Sequence, residues 1–238
     1  MNKRYWWVII TYIIMQFSQI LVLPIGKLLS LNRTEMMHLA INWSISSFII
    51  GLIIVLLLMK PDMKIGSMRD AAPAPQVVLW SILGVFMAFF SQGIAVAIET
   101  YIFGIEQGSE NTANIMNITL AKPLFMIIPM FIAPILEEVI FRKIIFGSLY
   151  KRTNFVIAAI LSAFIFGIIH QEPQHILIYA GMGFVFAFLY VKTKRIIVPI
   201  IVHMAMNSIT VLALYFSPEN LEQLEQQLRE MQMILFGG

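Results

Sequence analysis

AKPLFMIIPMFIAPILEEVIFRKIIFGSLY, residues 121–150, is an almost unbroken apolar stretch that carries two carboxylates, an arginine and a lysine in its second half. A helix rises about 1.5 Å per residue, and about 20 apolar residues cross a bilayer core. The stretch is too long for one simple crossing. Pro123, Pro129 and Pro134 interrupt it. Each removes a backbone donor, so the sequence predicts a strong kink or a break, with two helices meeting near Pro134 as the extreme case. Glu137, Glu138, Arg142 and Lys143 are the puzzle. An ionisable side chain within a membrane span costs several kcal/mol unless it is paired or hydrated, so such residues mark function by default.

The rest of the chain decides that a membrane is the right setting. Its 238 residues are 59% hydrophobic and only 12% charged, with a mean hydropathy of +0.84. A soluble domain carries about 25% charged residues. Seven apolar runs follow one another through short loops, at roughly 5–26, 39–59, 76–103, 121–150, 154–170, 174–191 and 196–215. The predicted fold is all-α: a polytopic helical membrane protein of seven to eight transmembrane helices with a kinked fourth segment. One transmembrane domain is expected over 1–216, followed by an amphipathic helix over 217–238. In that tail Ser217 can cap, Pro218 suits the first turn, and Leu221, Leu224, Leu228, Met231 and Leu235 form one apolar stripe. The N-terminal run continues past signal-peptide length with bulky residues, so it reads as a retained first span. There is no cysteine, which excludes disulfides and thiol catalysis.

Charge sets the expected orientation. With the N-terminus in the cytoplasm and seven crossings, Lys3, Arg4, Lys60, Lys64, Arg69, Lys151, Arg152, Lys192, Lys194 and Arg195 fall inside. Lys27, Arg33 and Arg229 fall outside, with Lys122 near that boundary. This is the positive-inside pattern, and it favours a kink or re-entrant piece over an added crossing. The pI near 9.2 therefore reflects cytoplasmic loops. The expected surroundings are a lipid bilayer, and nucleic acid is not an expected partner.

Few other polar residues lie inside the spans. His170 ends the fifth, His203 and Asn207 lie on the seventh, and Glu99 lies near the outer end of the third. Snorkelling or hydration is the simple expectation for Glu99, and Lys143 can also reach the membrane surface. Glu138 and Arg142 are four apart, as are Phe166 and His170, and His203 and Asn207. Residues four apart share a helix face, so three helices each present a pair at one-turn spacing. Depth agrees for two of them. Glu137 is about 20 Å from residue 150 and His170 about 24 Å from residue 154, whereas His203 is only about 10 Å from residue 196.

Two carboxylates, two imidazoles and an amide in a low-dielectric cavity can activate water. A glutamate beside a histidine can act as general base, and histidine and asparagine can donate to a developing oxyanion. The Glu138–Arg142 pair could brace the segment and leave Glu137 free. The same set could instead ligate a divalent metal such as zinc through Glu137, His170 and His203, since two His and one Glu form a catalytic zinc site. Spacing alone does not choose. Other designs are excluded. No HExxH is present, and HQEPQH (His170–His175) has the wrong spacing. Asp62 and Asp70, the only aspartates, lie in a loop, and there is no GxSxG.

Glu137-Glu138-x-x-x-Arg142, Phe166-x-x-x-His170 and His203-x-x-x-Asn207, in that order and each on its own predicted span, resemble the CAAX-protease and bacteriocin-processing (CPBP, or Abi) family. The resemblance covers roughly residues 120–210, and the N-terminal third carries no motif. It implies an intramembrane endopeptidase acting on membrane-associated proteins or peptides, either CaaX tails or bacterial peptides. It implies that Glu137 and His170 activate water, that His203 and Asn207 bind the oxyanion or position that water, and that Glu138, Arg142 and Phe166 support the site. The family is described both as metal-dependent and as glutamate proteases, and the metal-free mechanism is the favoured expectation here. Two rivals stand beside this reading: an ion- or proton-coupled transporter, because intramembrane Glu and His also relay protons, and a catalytically silent scaffold or immunity protein. A transporter would often show broken helices in paired repeats, and only one interrupted segment is visible.

Overall fold

The computed structural model describes residues 2–64 and 70–220. They form helices throughout, with no strand among them. Six helices are long and apolar enough to cross a membrane: Lys3–Leu28, Arg33–Asp62, Ala74–Tyr101, Pro123–Tyr150, Pro173–Thr193 and Ile197–Tyr215. A shorter apolar helix, Phe155–Ile169, completes the seven predicted runs. The chain is a polytopic helical membrane protein. Of the expected C-terminal helix, residues 221–238 lie outside the described residues.

Local chemistry sets the helix ends. Helix α1 (Lys3–Phe17) is capped by Asn2, whose side chain accepts from the Arg4 N–H. A 3₁₀ turn, Ser18–Leu21, joins it to α2 (Val22–Leu28). Pro24 has no N–H for the Ile20 carbonyl, so the first span tightens there instead of continuing as α-helix. Helix α3 (Arg33–Lys64) starts with a capping box. The Asn32 side chain accepts from Glu35 N–H, and the Glu35 carboxylate accepts from Asn32 N–H. Helix α4 (Ala74–Tyr101) opens behind Pro73.

Next comes a helix that the hydropathy pattern conceals. The connection between α4 and the fourth segment contains α5 (Glu110–Ala121), capped by Ser109, which accepts from Thr112 N–H. Ser-Glu-Asn-Thr was a readable cap signal.

The fourth segment is one irregular helix, not two helices broken at Pro134. After a 3₁₀ turn (Pro123–Met126) it winds as a π-turn (Ile128–Ile132), α6 (Ala133–Glu138), a second π-segment (Val139–Phe146) and α7 (Gly147–Tyr150). It is the central helix: 61% of its apolar window is buried, against 17–39% for the other five long spans. Helices α8 (Phe155–Ile169), α9 (Ile176–Thr193) and α10 (Ile197–Tyr215) wrap it together with α1 and α3, and α4 packs outside them on α9 and α10. Helix α9 lies against α8 closely enough that a Cβ at Gly183 would sit 3.1 Å from the Ala163 Cα.

The two ends of the bundle differ. At one end Arg4 pairs with Asp62 at 3.2 Å, and the Tyr5 hydroxyl donates to Asp62. Ala72 N–H donates to the Thr193 carbonyl, and Arg195 Nε donates to the Ala72 carbonyl. This end gathers the basic loops. The far end of α4 carries Glu99, and from there a cavity runs inward.

Candidate active site

The π-turn prepares the first functional contact. Ala133 N–H donates to the Ile128 carbonyl, one residue further back than in an α-helix. The Pro129 carbonyl thereby loses its usual partner at 133, and its next neighbour along that path, Pro134, has no N–H. Asn207 of α10 fills the vacancy: its Nδ2 donates to the Pro129 carbonyl at 2.9 Å. One amide proton of Asn207 is committed, and the other is left for the cavity.

Four residues on, Glu137 and Glu138 part company. Glu138 is wholly buried and its Oε2 lies 3.1 Å from Arg142 Nε. The approach is oblique, so it is an ion pair more than an aligned hydrogen bond. Arg142 is 1% exposed, and its terminal nitrogens find no acceptor among the described residues. Instead its guanidinium lies 4.6 Å from the centre of the Phe166 ring and 5.0 Å from that of Phe186. Aromatic faces attract a desolvated cation. The second Glu138 oxygen accepts from His203 Nδ1 at 2.9 Å. Glu138, Arg142 and Phe166 are thus built into one buried brace. Glu137 stays partly exposed, at 13% of its side chain, and faces the cavity.

His203 joins the two glutamates. With Nδ1–H bonded to Glu138, its Nε2 is 3.7 Å from Glu137 Oε2, too long for a direct hydrogen bond and suited to a bridging group. Its ring stacks on Phe186 at 4.9 Å. The bond to Glu138 sets His203 level with that residue, whatever their separations from the ends of their segments.

His170 is the last residue before α8 gives way to a turn. Its Nδ1 lies 2.7 Å from the Phe166 carbonyl. A carbonyl only accepts, so Nδ1 carries the proton and a neutral ring offers its Nε2 lone pair. The ring stacks on Tyr179 at 4.1 Å and touches the tilted Phe166 ring at 4.4 Å.

Glu137, Phe166, His170, His203 and Asn207 all line one cavity of about 420 Å³. The structure therefore brings the predicted set together, with Glu138 and Arg142 behind the wall. Glu137 approaches His203, and His170 shares the cavity with it. Among the described residues, no three His, Asp or Glu side chains are arranged to hold a metal ion, Glu137, His170 and His203 included.

The same cavity is lined by two carboxylates to which the sequence gave no site role, Glu99 and Glu172. Glu99 does not snorkel: it is 2% exposed. Its Oε2 accepts from His175 Nδ1 at 2.9 Å, and its Oε1 accepts from the backbone N–H of Leu177 and Ile178, at the start of α9. A carboxylate is well placed at a helix N-terminus. Glu172 is also buried, at 4%. It accepts from the hydroxyls of Tyr179 and Ser109 and from Asn111 N–H. Burial alone would raise the Glu172 carboxyl. The hydrogen bonds from Tyr179, Asn111 and Ser109, with His175 nearby, outweigh it and hold the carboxyl below the usual glutamate value. HQEPQH is no zinc motif, yet three of its residues line the cavity. What hid Glu172 is that its burial depends on α5, some sixty residues away.

Residues 119–209 match the family model described as type II CAAX prenyl endopeptidase Rce1-like. Over its whole length the chain is 45% identical to the putative membrane peptidase YdiL of Bacillus subtilis (strain 168), covering 99% of that protein. It is 33% identical to the membrane-embedded CAAX protease MroQ of Staphylococcus aureus (strain USA300), with 92% of each chain aligned. No solved structure matches the chain.

Proposed function

The chain belongs to the Rce1-like family of type II CAAX prenyl endopeptidases and is a membrane-embedded protease, and from that premise we propose that it hydrolyses peptide bonds of membrane-associated proteins or peptides with water activated by Glu137. The observation that carries this reading is the division of labour between the two glutamates. Arg142 and His203 take up Glu138, and the Glu137 carboxylate faces the cavity that His170, His203 and Asn207 also line.

The chemistry then needs no group beyond these side chains. Glu137 takes a proton from a water that also donates to His170 Nε2, and the water oxygen bonds to the substrate carbonyl carbon. The remaining Asn207 amide proton, and His203 Nε2 when protonated, donate to the oxyanion that forms. Glu137 returns its proton to the leaving nitrogen as the C–N bond breaks, leaving a carboxylic acid and an amine. The substrate is a CaaX-type tail or a bacterial peptide. The staphylococcal relative, named a CAAX protease, supports the first.

The N-terminus is placed in the cytoplasm. The clustering of basic loops at the Arg4–Asp62 end supports this, and it directs the Glu99 end of the cavity outward.

The test uses the full chain purified in detergent or nanodiscs, with a farnesylated CaaX peptide and its unprenylated counterpart as probes. Glu137→Gln and His170→Ala are each expected to lower cleavage on the order of a hundredfold or more, with the protein still folded in membranes. Full cleavage by both variants would overturn the reading. A chelator is expected to leave cleavage unchanged, and loss restored by added zinc would replace the metal-free mechanism.

A further inference from the structure

His170 occupies an unusual place for a residue that must point one nitrogen at a reacting water. It is the cap residue of α8, and the next residue, Gln171, has a left-handed backbone with φ of 59°. No further helical turn packs over the imidazole. The hydrogen bond from Nδ1 to the Phe166 carbonyl sets the tautomer only while the ring stays in place, and the ring can swing away unless a face is held.

Tyr179 covers one face, nearly parallel at 25° and 4.1 Å, and the tilted Phe166 ring meets the imidazole from the side at 4.4 Å. Tyr179 is itself held. Its hydroxyl donates to Glu172 at 2.5 Å, and both residues are buried, at 8% and 4%. Glu172 is fixed from the far side by the Ser109 hydroxyl and Asn111 N–H, at the start of α5. The result is a closed circuit. It runs along the backbone from His170 to Glu172, across the hydrogen bond to Tyr179, and back by ring stacking to His170.

We propose that Tyr179, anchored by Glu172, is a positioning residue for the reaction: it clamps the His170 ring so that Nε2 stays aimed into the cavity. The role rests on the protease reading above, because it is there that His170 orients water. The contribution of Tyr179 is its ring face, and that of Glu172 is to stop the tyrosine from drifting. Misplacing a catalytic group by about 1 Å can cost on the order of a hundredfold in rate.

The experiment has two readouts on the full chain in nanodiscs. The first is kinetics with the farnesylated CaaX peptide. Tyr179→Leu removes the ring and should lower kcat on the order of tenfold to a hundredfold, with KM changed by less than about threefold. Tyr179→Phe keeps the ring and should lose only a few fold. Glu172→Gln should match Tyr179→Phe, and the two should be non-additive when combined, as expected of residues that act through one contact.

The second readout is the nitrogen NMR spectrum of histidine-labelled protein. The chain has four histidines, and His170 is assigned by the signal lost in His170→Gln. The parent should show one Nδ1-protonated tautomer at His170, and Tyr179→Leu should show a mixture. An unchanged His170 spectrum in Tyr179→Leu, or an unchanged kcat, would overturn the clamp. If Tyr179→Leu does not fold, Tyr179→Phe and Glu172→Gln decide it: full activity and an unchanged spectrum in both would overturn the anchor. Retained cleavage by Glu137→Gln would defeat the protease reading separately, and the spectrum decides the clamp whether or not the peptide is cleaved.

Discussion

Glu137 and Glu138 are adjacent in sequence and alike in chemistry, and they do opposite things. Successive helical residues point about 100° apart, so one faces the cavity and the other faces Arg142. Glu138 is the structural half. Removing one partner of a buried pair leaves an uncompensated charge, and Arg142→Ala should destabilise the protein by about 3–5 kcal/mol, read by denaturant unfolding in detergent. The double change Glu138→Gln with Arg142→Met should recover much of that stability, because no lone charge remains. Recovery of nothing would mean that the aromatic cage, and not the ion pair, holds the segment. Glu172 gives a prediction on pH. Its carboxyl is held below the usual glutamate value of 4.5, so its ionised form stabilises the fold. That contribution is fully present above pH 4.5 and is lost as pH falls through the lower folded value. The thermal midpoint should therefore drop on acidification below that point, and the drop should be smaller in Glu172→Gln. The pairing of Glu138 with Arg142 was legible from their four-residue spacing. The partners of Glu99 and Glu172 were not, since they come from α9 and α5.

Prolines in the fourth segment act through the carbonyls they leave unpaired. Pro134 and the π-turn together strand the Pro129 carbonyl, and Asn207 satisfies it. Asn207→Ala should cost about 1–3 kcal/mol for the orphaned acceptor, in addition to any loss of activity. Pro134→Ala restores an N–H within reach of that region of the helix, so the cost of Asn207→Ala should shrink in that background. An equal cost in both would show that the carbonyl was never the reason. The prolines predicted a kinked fourth segment, and the structure adds the form of the irregularity, two π-segments within one helix. Rewinding to a wider turn keeps more backbone hydrogen bonds than a clean break, and a break in an apolar setting leaves groups that no water can satisfy. Where α8 meets α9, Gly183 is needed for close approach. Gly183→Ala brings a Cβ to 3.1 Å from the Ala163 backbone, which cannot move aside as a side-chain end could. It should cost about 1–3 kcal/mol and disturb Arg142, whose Nη2 lies 3.6 Å from the same point.

Across the whole molecule, the cavity joins a mid-span carboxylate to one end of the bundle, and the basic loops gather at the other. The absence of cysteine makes this orientation directly testable. A single cysteine at Gln107 should react with a membrane-impermeant maleimide added to intact cells, and one at Arg152 should react only after permeabilisation. The reverse pattern would invert the proposed topology. Composition and hydropathy were enough for the fold class and the seven apolar helices, because burying backbone polar groups in lipid allows few other solutions. One-turn spacing was enough to nominate Glu138, Arg142, Phe166, His170, His203 and Asn207, since residues four apart on a helix must share a face, and Glu137 was marked by its charge inside an apolar span. The Glu138–Arg142 spacing pointed to Glu137 as the free glutamate, but sequence could not say which histidine meets it, or that α5 folds back over Glu172. Those depend on contacts between residues sixty or more positions apart, and only the packing of helices against one another decides them.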